Sequence, residues 1–214
     1  GVEADIAGLA ARSATLTSDR DGLNMEKIDD AHAITGAVPK RAGMLRKIQG
    51  VVFELPTVRD VFCQGRMVGV MHELLGGQPY YHSSKVMLKP AHGGAAKPWH
   101  QDAAYWRQFS AEQITVWIAI HAADQANGCI WAIPGSHKLG LLAHHEIELQ
   151  VRESSFDVSK AIPIPIRPGG ALIFHSLVLH KSDKNLSDRD RWAIICDYDK
   201  NPNPCIDLPP RSRV

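Results

Sequence analysis

From Tyr80 the side-chain pattern has a period of two: Tyr81, Ser83, Lys85 and Met87 alternate with His82, Ser84, Val86 and Leu88 until Pro90 stops the run. Such alternation belongs to a strand with two different faces, and it fixes the register, because a slip of one residue would turn every side chain over. Four further segments read as strands: Ile114 to His121, Gly128 to Ile133, Ala171 to His180 and Arg191 to Tyr198. Each is apolar, β-branched or aromatic and is bounded by Gly, Pro or Asp. Only one stretch sustains a helical period. Val58, Val61, Phe62, Val68, Met71, Leu74 and Leu75 recur at three- and four-residue intervals after Pro56-Thr57, and Gly76-Gly77 ends them. Many strands and one main helix predict a mainly β core with helices packed against it. His72-Glu73 on that helix is no zinc-binding His-Glu-x-x-His, since Gly76 stands where the second histidine is needed.

At 214 residues the chain has the length of a single sizeable domain, and no repeat, low-complexity tract or linker divides it. Its 24 basic and 23 acidic residues leave a net charge of +1, which calls for neither nucleic acid nor an anionic membrane as partner. No apolar run approaches the roughly 20 residues that span a bilayer. Residues 1–16 also lack the basic start and apolar centre of a secretion signal, so a soluble, intracellular and cytoplasmic protein is expected. Cys63, Cys129, Cys196 and Cys205 show no Cys-x-x-Cys spacing; they read as reduced thiols, the first three in apolar, buried surroundings. Residues 1–44 are the least regular part and read as loops and short helices, with helical spacing around Ile6–Leu9 and Met25–Ile28.

The densest chemistry lies in Pro98-Trp99-His100-Gln101-Asp102 and in the segment from His180 to Arg191. On extended backbone His100 and Asp102 share a face, so an imidazole nitrogen and a carboxylate oxygen can meet one ion, while Gln101 points away and contributes only if the strand ends there. A second histidine from a distant strand would complete the two-histidine, one-carboxylate donor set of non-haem Fe(II) oxygenases. His-x-Asp alone is weak evidence in a chain with eleven histidines. Its company matters more: His180-Lys181-Ser182, Asn185-Leu186-Ser187 and Arg191 follow in order, with Asn127-Gly128-Cys129-Ile130-Trp131-Ala132-Ile133-Pro134-Gly135-Ser136-His137-Lys138 as the linking turn.

On these motifs, from about Leu45 to Tyr198, the chain resembles the phytanoyl-CoA dioxygenase family. The resemblance implies a double-stranded β-helix, a jelly roll of the cupin type with flanking α-helices, which the strand count also matches. It implies Fe(II) held by His100, Asp102 and His180, with 2-oxoglutarate as cosubstrate and dioxygen as oxidant. Arg191 and Ser182 would hold the far carboxylate of 2-oxoglutarate, a task suited to a planar guanidinium with two parallel hydrogen bonds. Trp117 matches the tryptophan lining that pocket, with plain core as its other reading, and Lys85 and Lys47 match positions that face the cosubstrate. His175 competes with His180 on one predicted strand; five residues apart they face opposite sides, and the Ser182, Asn185 and Arg191 pattern singles out His180. A hairpin from Ser182 to Asp190 would then place Arg191 on the neighbouring strand.

The remaining histidines have bland readings. His137 is a structural hydrogen-bonding group, His92, His144 and His145 are solvated loop residues, and His121 with Asp124 is strand-end structure. Tyr105, Trp106 and Arg107 are the nearest candidates for a substrate wall. The strand that relatives carry before Leu45 is not legible in residues 1–44, an N-terminal part expected to be incomplete. The expected activity is hydroxylation of an unactivated C–H bond of a small molecule, with desaturation, cyclisation or epimerisation by the same site as the alternative. A metal-binding jelly roll acting as a sensor is the reading from another class, and it would need neither Arg191 nor Ser182.

Overall fold

The structure is a computed structural model that describes residues 1–27, 40–107, 111–145 and 149–202. Helix α1 (Val2–Arg12) is followed by β1 (Leu23–Lys27), β2 (Lys40–Gln49), and the helices α2 (Val51–Glu54), α3 (Pro56–Cys63) and α4 (Gly65–Leu75). The rest is strand and turn: β3 (Tyr80–Lys89), β4 (Lys97–His100), β5 (Ile114–Ala119), β6 (Ile130–Ala132), β7 (Ile162–Ile164), β8 (Ala171–His175), β9 (His180–Ser182) and β10 (Arg191–Asp199). One antiparallel sheet has the order β1-β2-β3-β10-β5-β8 and a second, smaller one the order β4-β9-β6-β7. The fold is mainly β, with the cupin-like pairing of two antiparallel sheets rather than a closed barrel.

Period-two alternation sorts the larger sheet into a helix side and a cavity side. Val86 and Leu88 of β3, Ile114 and Val116 of β5, and Ile194, Cys196 and Tyr198 of β10 pack on Ile6, Val58, Phe62 and Met71 from the helices. Burying each of the larger apolar side chains there contributes about 1.5–3 kcal/mol. The alternate residues, Lys85, Trp117, Arg191 and Ile195, look toward the smaller sheet. Between the sheets Trp117, Ala119, Cys129, Ile130 and Ala193 form a second core. Beyond the smaller sheet a third core gathers Trp99, Ile133, Val151 and Leu179.

Several expectations change. The predicted single helix from Thr57 is broken: Gln64 is extended (φ −140°, ψ 169°) and Gly65 takes φ +58°, so α3 and α4 are separate helices. Met25 lies in a strand and not on a helical face, and Ile28 falls outside the described residues. The strand not legible before Leu45 is present as β1 and β2, whose pairing is interrupted by register shifts that break the two-residue rhythm. The predicted strand from Ala171 to His180 is two strands in different sheets. The Val178 amide bonds back to the His175 carbonyl at 2.8 Å, and the Leu179 amide donates to Ser136 Oγ at 2.8 Å, which carries the chain across. His175 and His180 therefore differ by sheet, not by face of one strand. By the same token β9 and β10 are not a hairpin, because β9 pairs with β4 and β6 while β10 pairs with β3 and β5. Cys129 and Cys196 are buried and outside any disulfide, but Cys63 is exposed at the end of α3, and Cys205 lies outside the described residues. No helix among the described residues is long and apolar enough to cross a membrane.

Candidate active site

A cavity of about 590 Å³ opens between the sheets. Strands β4 and β9 bring two histidines together, since His100 is paired with His180 across the ladder, and their rings lie 4.1 Å apart. The backbone stays extended through Gln101 (φ −121°, ψ 131°), which turns Asp102 to the side of His100 at the start of a 3-10 turn, Asp102–Trp106. His100 Nδ1 lies 2.8 Å from the Pro98 carbonyl and His180 Nδ1 lies 3.0 Å from the Val178 carbonyl. Each ring thus donates from Nδ1 to a backbone oxygen two residues back, which leaves its Nε2 lone pair for an ion. Asp102 Oδ1 completes the cluster at 3.6 Å from His100 Nε2 and 3.7 Å from His180 Nε2. All three ligand atoms lie within 4.8 Å of one another and all three residues are buried. Burial, the neighbouring His180 and Lys97 hold the His100 pKa well below the usual imidazole value, so its ring is neutral and able to donate a lone pair.

Asp102 is itself held from behind. Thr115 Oγ1 on β5 donates to its Oδ2 at 3.0 Å and lies 2.8 Å from Asp197 Oδ1 on β10. A hydroxyl has one proton, so it serves one of these carboxylates at a time. Asp197, fully buried, has its other oxygen secured by Ser83 Oγ at 2.5 Å and Lys85 Nζ at 3.1 Å. Ser83, Asp197 and Thr115 form one row across β3, β10 and β5, so the cross-strand register builds the network. Lys85 lines the cavity as expected of a strand residue facing inward, but its ammonium is paired with Asp197 and stands 5.3 Å over the Trp106 ring.

At the other end of β10, Arg191 is 2 % exposed, with its guanidinium carbon 5.5 Å over the buried Trp117 ring. Among the described residues no carboxylate pairs with it, and its Nε has no hydrogen-bond partner. Burial pushes its pKa down to about 10, the mark of a cation without a counter-ion. Ser182 on β9 lines the same cavity, as do Lys47 and Trp117. The Asn185-Leu186-Ser187 motif is a clamp: Asn185 Nδ2 donates to the carbonyls of Lys89 (2.9 Å) and Arg189 (2.7 Å), while its Oδ1 accepts from Ser187 N and Oγ, setting the loop that enters β10 at Arg191. Lys89, nearly buried, is held by the carbonyls of Ala95, Ser182 and Asp183. Gly128 (φ 82°) leaves room for this, because a Cβ there would collide with the Asp183 carbonyl.

Gln101, a candidate cosubstrate contact only if the strand ended there, is corrected: it stays extended and points away. Its amide nitrogen donates to the carbonyls of Gly140 and Leu177 and its oxygen accepts from the Leu142 amide, each at 2.8 Å, so it ties loops together behind β4 and does not line the cavity. His144 is not merely solvated: its Nε2 accepts from the Gln101 amide at 3.1 Å, steadying the backbone between His100 and Asp102. His175 is half-buried, accepts from the Leu177 amide, and its ring packs 5.9 Å from that of His137. Tyr105 and Trp106 line the cavity, Tyr105 edge-on to His100 at 6.1 Å, whereas Arg107 is exposed and outside it. Thr115, Asp197, Arg46 and Phe174, the last against His180 at 4.8 Å, were not singled out from sequence. Alternation along β5 from Trp117 marks Thr115 as cavity-facing, but nothing local pairs it with Asp102.

The family described as phytanoyl-CoA dioxygenase (PhyH) matches residues 17–193. The zebrafish (Danio rerio) phytanoyl-CoA dioxygenase domain-containing protein 1 is 34 % identical over 172 residues, 75 % of this chain and 53 % of its own length. The chain spans about half the length of the curated relatives it matches. Among solved structures, AviO1 from Streptomyces viridochromogenes superposes with a TM-score of 0.71 at 18 % identity, covering 95 % of this chain and 85 % of that one. EctD from S. alaskensis, solved with bound Fe and with 2-oxoglutarate and 5-hydroxyectoine, gives 0.64 at 20 % identity over 92 % of this chain and 68 % of that one. At such identities these two likenesses establish the fold. The family match runs through β4, the 3-10 turn, β9 and Arg191, and so the chain belongs to the phytanoyl-CoA dioxygenase family.

Proposed function

We propose that this chain is a non-haem Fe(II)- and 2-oxoglutarate-dependent oxygenase that hydroxylates an unactivated C–H bond of a small organic molecule. The observation that carries the reading is the convergence of His100 Nε2, His180 Nε2 and Asp102 Oδ1 in a cavity whose wall also holds the buried, unpaired Arg191. Two imidazoles and one carboxylate oxygen suit Fe(II) and leave the remaining positions of an octahedron open. The fit to a dicarboxylate rests on Arg191, since a buried guanidinium is costly until an anion meets it. A structural zinc site or a sensor has no use for that cation.

Bound iron and 2-oxoglutarate supply dioxygen activation coupled to oxidative decarboxylation of the cosubstrate to succinate and carbon dioxide. The chain's own part is orientation and exclusion of water. The Pro98 and Val178 carbonyls fix the histidine tautomers, and Thr115 holds Asp102 Oδ2, so that Oδ1 would be the oxygen offered to a bound ion. Arg191, which lies over Trp117, would hold the free carboxylate of the cosubstrate, with Ser182 as a second donor. Tyr105, Trp106 and Phe174 supply an apolar wall beside the histidines. Hydroxylation is preferred to halogenation because Asp102 places a carboxylate where a chloride would otherwise bind.

Titration of the anaerobic Fe(II) protein with 2-oxoglutarate tests the reading. Wild type should develop a visible charge-transfer absorption and, with substrate under 18O2, release succinate with a labelled alcohol unless oxygen exchanges first with water. Arg191→Ala should need at least about tenfold more 2-oxoglutarate while binding Fe(II) as before, the loss of a charge-assisted bidentate contact. No absorption change in wild type would sink the oxygenase reading, and an unchanged requirement in the variant would remove Arg191 from the site.

A further inference from the structure

The chain is almost neutral overall, but its cavity is not. Among the described residues, seven basic side chains line it against two carboxylates, Glu26 and Asp102. Lys85 is matched by Asp197 and Lys181 by Asp183 at 2.8 Å, whereas the two guanidiniums, Arg46 and Arg191, form an excess with no ion pair to any described carboxylate. A divalent metal and the 2-oxoglutarate dianion cancel each other, so loading the site as proposed above leaves that excess in place.

One of these cations reaches the cavity through a local irregularity. Across β1 and β2, Asn24 is opposite Lys47 and Met25 opposite Leu45, so Arg46 is an extra residue with no partner on β1. Such a bulge re-aims side chains. On a regular strand Arg46 and Lys47 would face opposite sides, yet both line the cavity. The Arg46 Nε is buried without a hydrogen-bond partner, and no ion pair joins the guanidinium to any described carboxylate. A buried donor left unpaired costs about 1–3 kcal/mol and calls for an acceptor.

Cosubstrate is not the natural acceptor. 2-Oxoglutarate chelated through its keto acid end has one free carboxylate, which Arg191 already answers. β3 lies between β2 and β10, so the two guanidiniums enter the cavity from strands about 10 Å apart. We propose that Arg46 anchors an oxyanion group, a phosphate, phosphonate or carboxylate, on the primary substrate, and that this site therefore takes small anionic molecules. The proposal rests on the oxygenase reading for the word substrate, but the anion site can be measured without turnover.

The protein is loaded with nickel, which binds without turning over, and with saturating 2-oxoglutarate, and is titrated calorimetrically with inorganic phosphate, methylphosphonate, and butyrate against butyramide. Wild type should bind the anions and ignore butyramide, with the preferred anion naming the group. Arg46→Met should weaken the preferred anion at least tenfold, leave the affinity for 2-oxoglutarate unchanged and not lower the melting temperature; Arg46→Lys should recover part of the loss, as a point charge without the planar fork. Wild type that binds none of the three anions, or an Arg46→Met protein that binds them as wild type does, overturns the proposal. So does a variant that loses 2-oxoglutarate instead, since Arg46 would then belong to the cosubstrate. If wild type takes up no 2-oxoglutarate the oxygenase reading falls, and the same titration on the nickel protein alone still decides whether Arg46 binds oxyanions.

Discussion

Thr115→Val keeps the shape of the side chain and removes only the hydroxyl that touches Asp102. Oδ1 stands 3.6 and 3.7 Å from the two Nε2 atoms, while Oδ2 is tied back to Thr115 at 3.0 Å. Without that tie the carboxylate is free to turn, to offer both oxygens or neither, and Asp197 Oδ1 loses its 2.8 Å contact as well. Loss of such an outer partner typically costs 10–100-fold in metal affinity. Removing a hydrogen bond to a charged, buried group costs about 1.5–3 kcal/mol. For a chain of this size that is a fall of roughly 3–12 °C in melting temperature at about 2–4 °C per kcal/mol. Cobalt(II) titration followed by visible absorption measures affinity and ligand geometry together, and thermal melting of the metal-free protein measures the rest. Thr115→Ser, which keeps the hydroxyl, should restore both. Cobalt affinity within twofold of wild type and an unchanged spectrum in Thr115→Val would refute the reasoning, whatever happened to stability.

Two further outcomes follow from the geometry. His180→Ala should lose iron while His175→Ala retains it, because His175 lies in the other sheet with its Nδ1 engaged by the Leu177 amide; metal analysis of purified variants giving the reverse would reassign the third ligand. Affinity for 2-oxoglutarate should show no step from Arg191 titration between pH 7 and 9 and begin to fall above about pH 10, the value to which burial lowers its pKa. The sign follows from a folded-state pKa below the ordinary guanidinium value: the free site gives up the proton early, and only the charged form grips a carboxylate. Calorimetry showing weakening already at pH 8 would point to a different titrating group.

Four of the five segments read as strands exist as single strands, β3, β5, β6 and β10, because each has one face on a core and one on the cavity or solvent, and burial on one face writes a period into the sequence. Legibility failed where tertiary contacts decide the backbone. Nothing in Ala171 to His180 signals that the chain leaves one sheet for the other; the break depends on Ser136, more than forty residues earlier, accepting from the Leu179 amide. β1 and β2 were hidden for a different reason: bulges disrupt their alternation, and one of those bulges is what delivers Arg46 to the cavity. Gln64 and Gly65 split a continuous apolar stripe because a stripe records which face is buried, not whether the axis continues.

The site shows the same division. His100, Asp102 and His180 are legible because metal chemistry restricts the donor atoms to a few residue types and a strand restricts the spacing. The groups that make them a site are not, since they act through backbone carbonyls or across strands: Pro98 and Val178 set the histidine tautomers with atoms every residue possesses, and Thr115 meets Asp102 only through the register of β5 against β10. Lys85 marks the limit of reading charge from sequence. A lysine on an inward face suggests an anion in the cavity, but the register of β3 and β10 sets it beside Asp197, so its partner is the protein itself. Arg191, with the same inward placement, has no such neighbour among the described residues, and the difference between the two is a matter of which carboxylate the opposite strand presents.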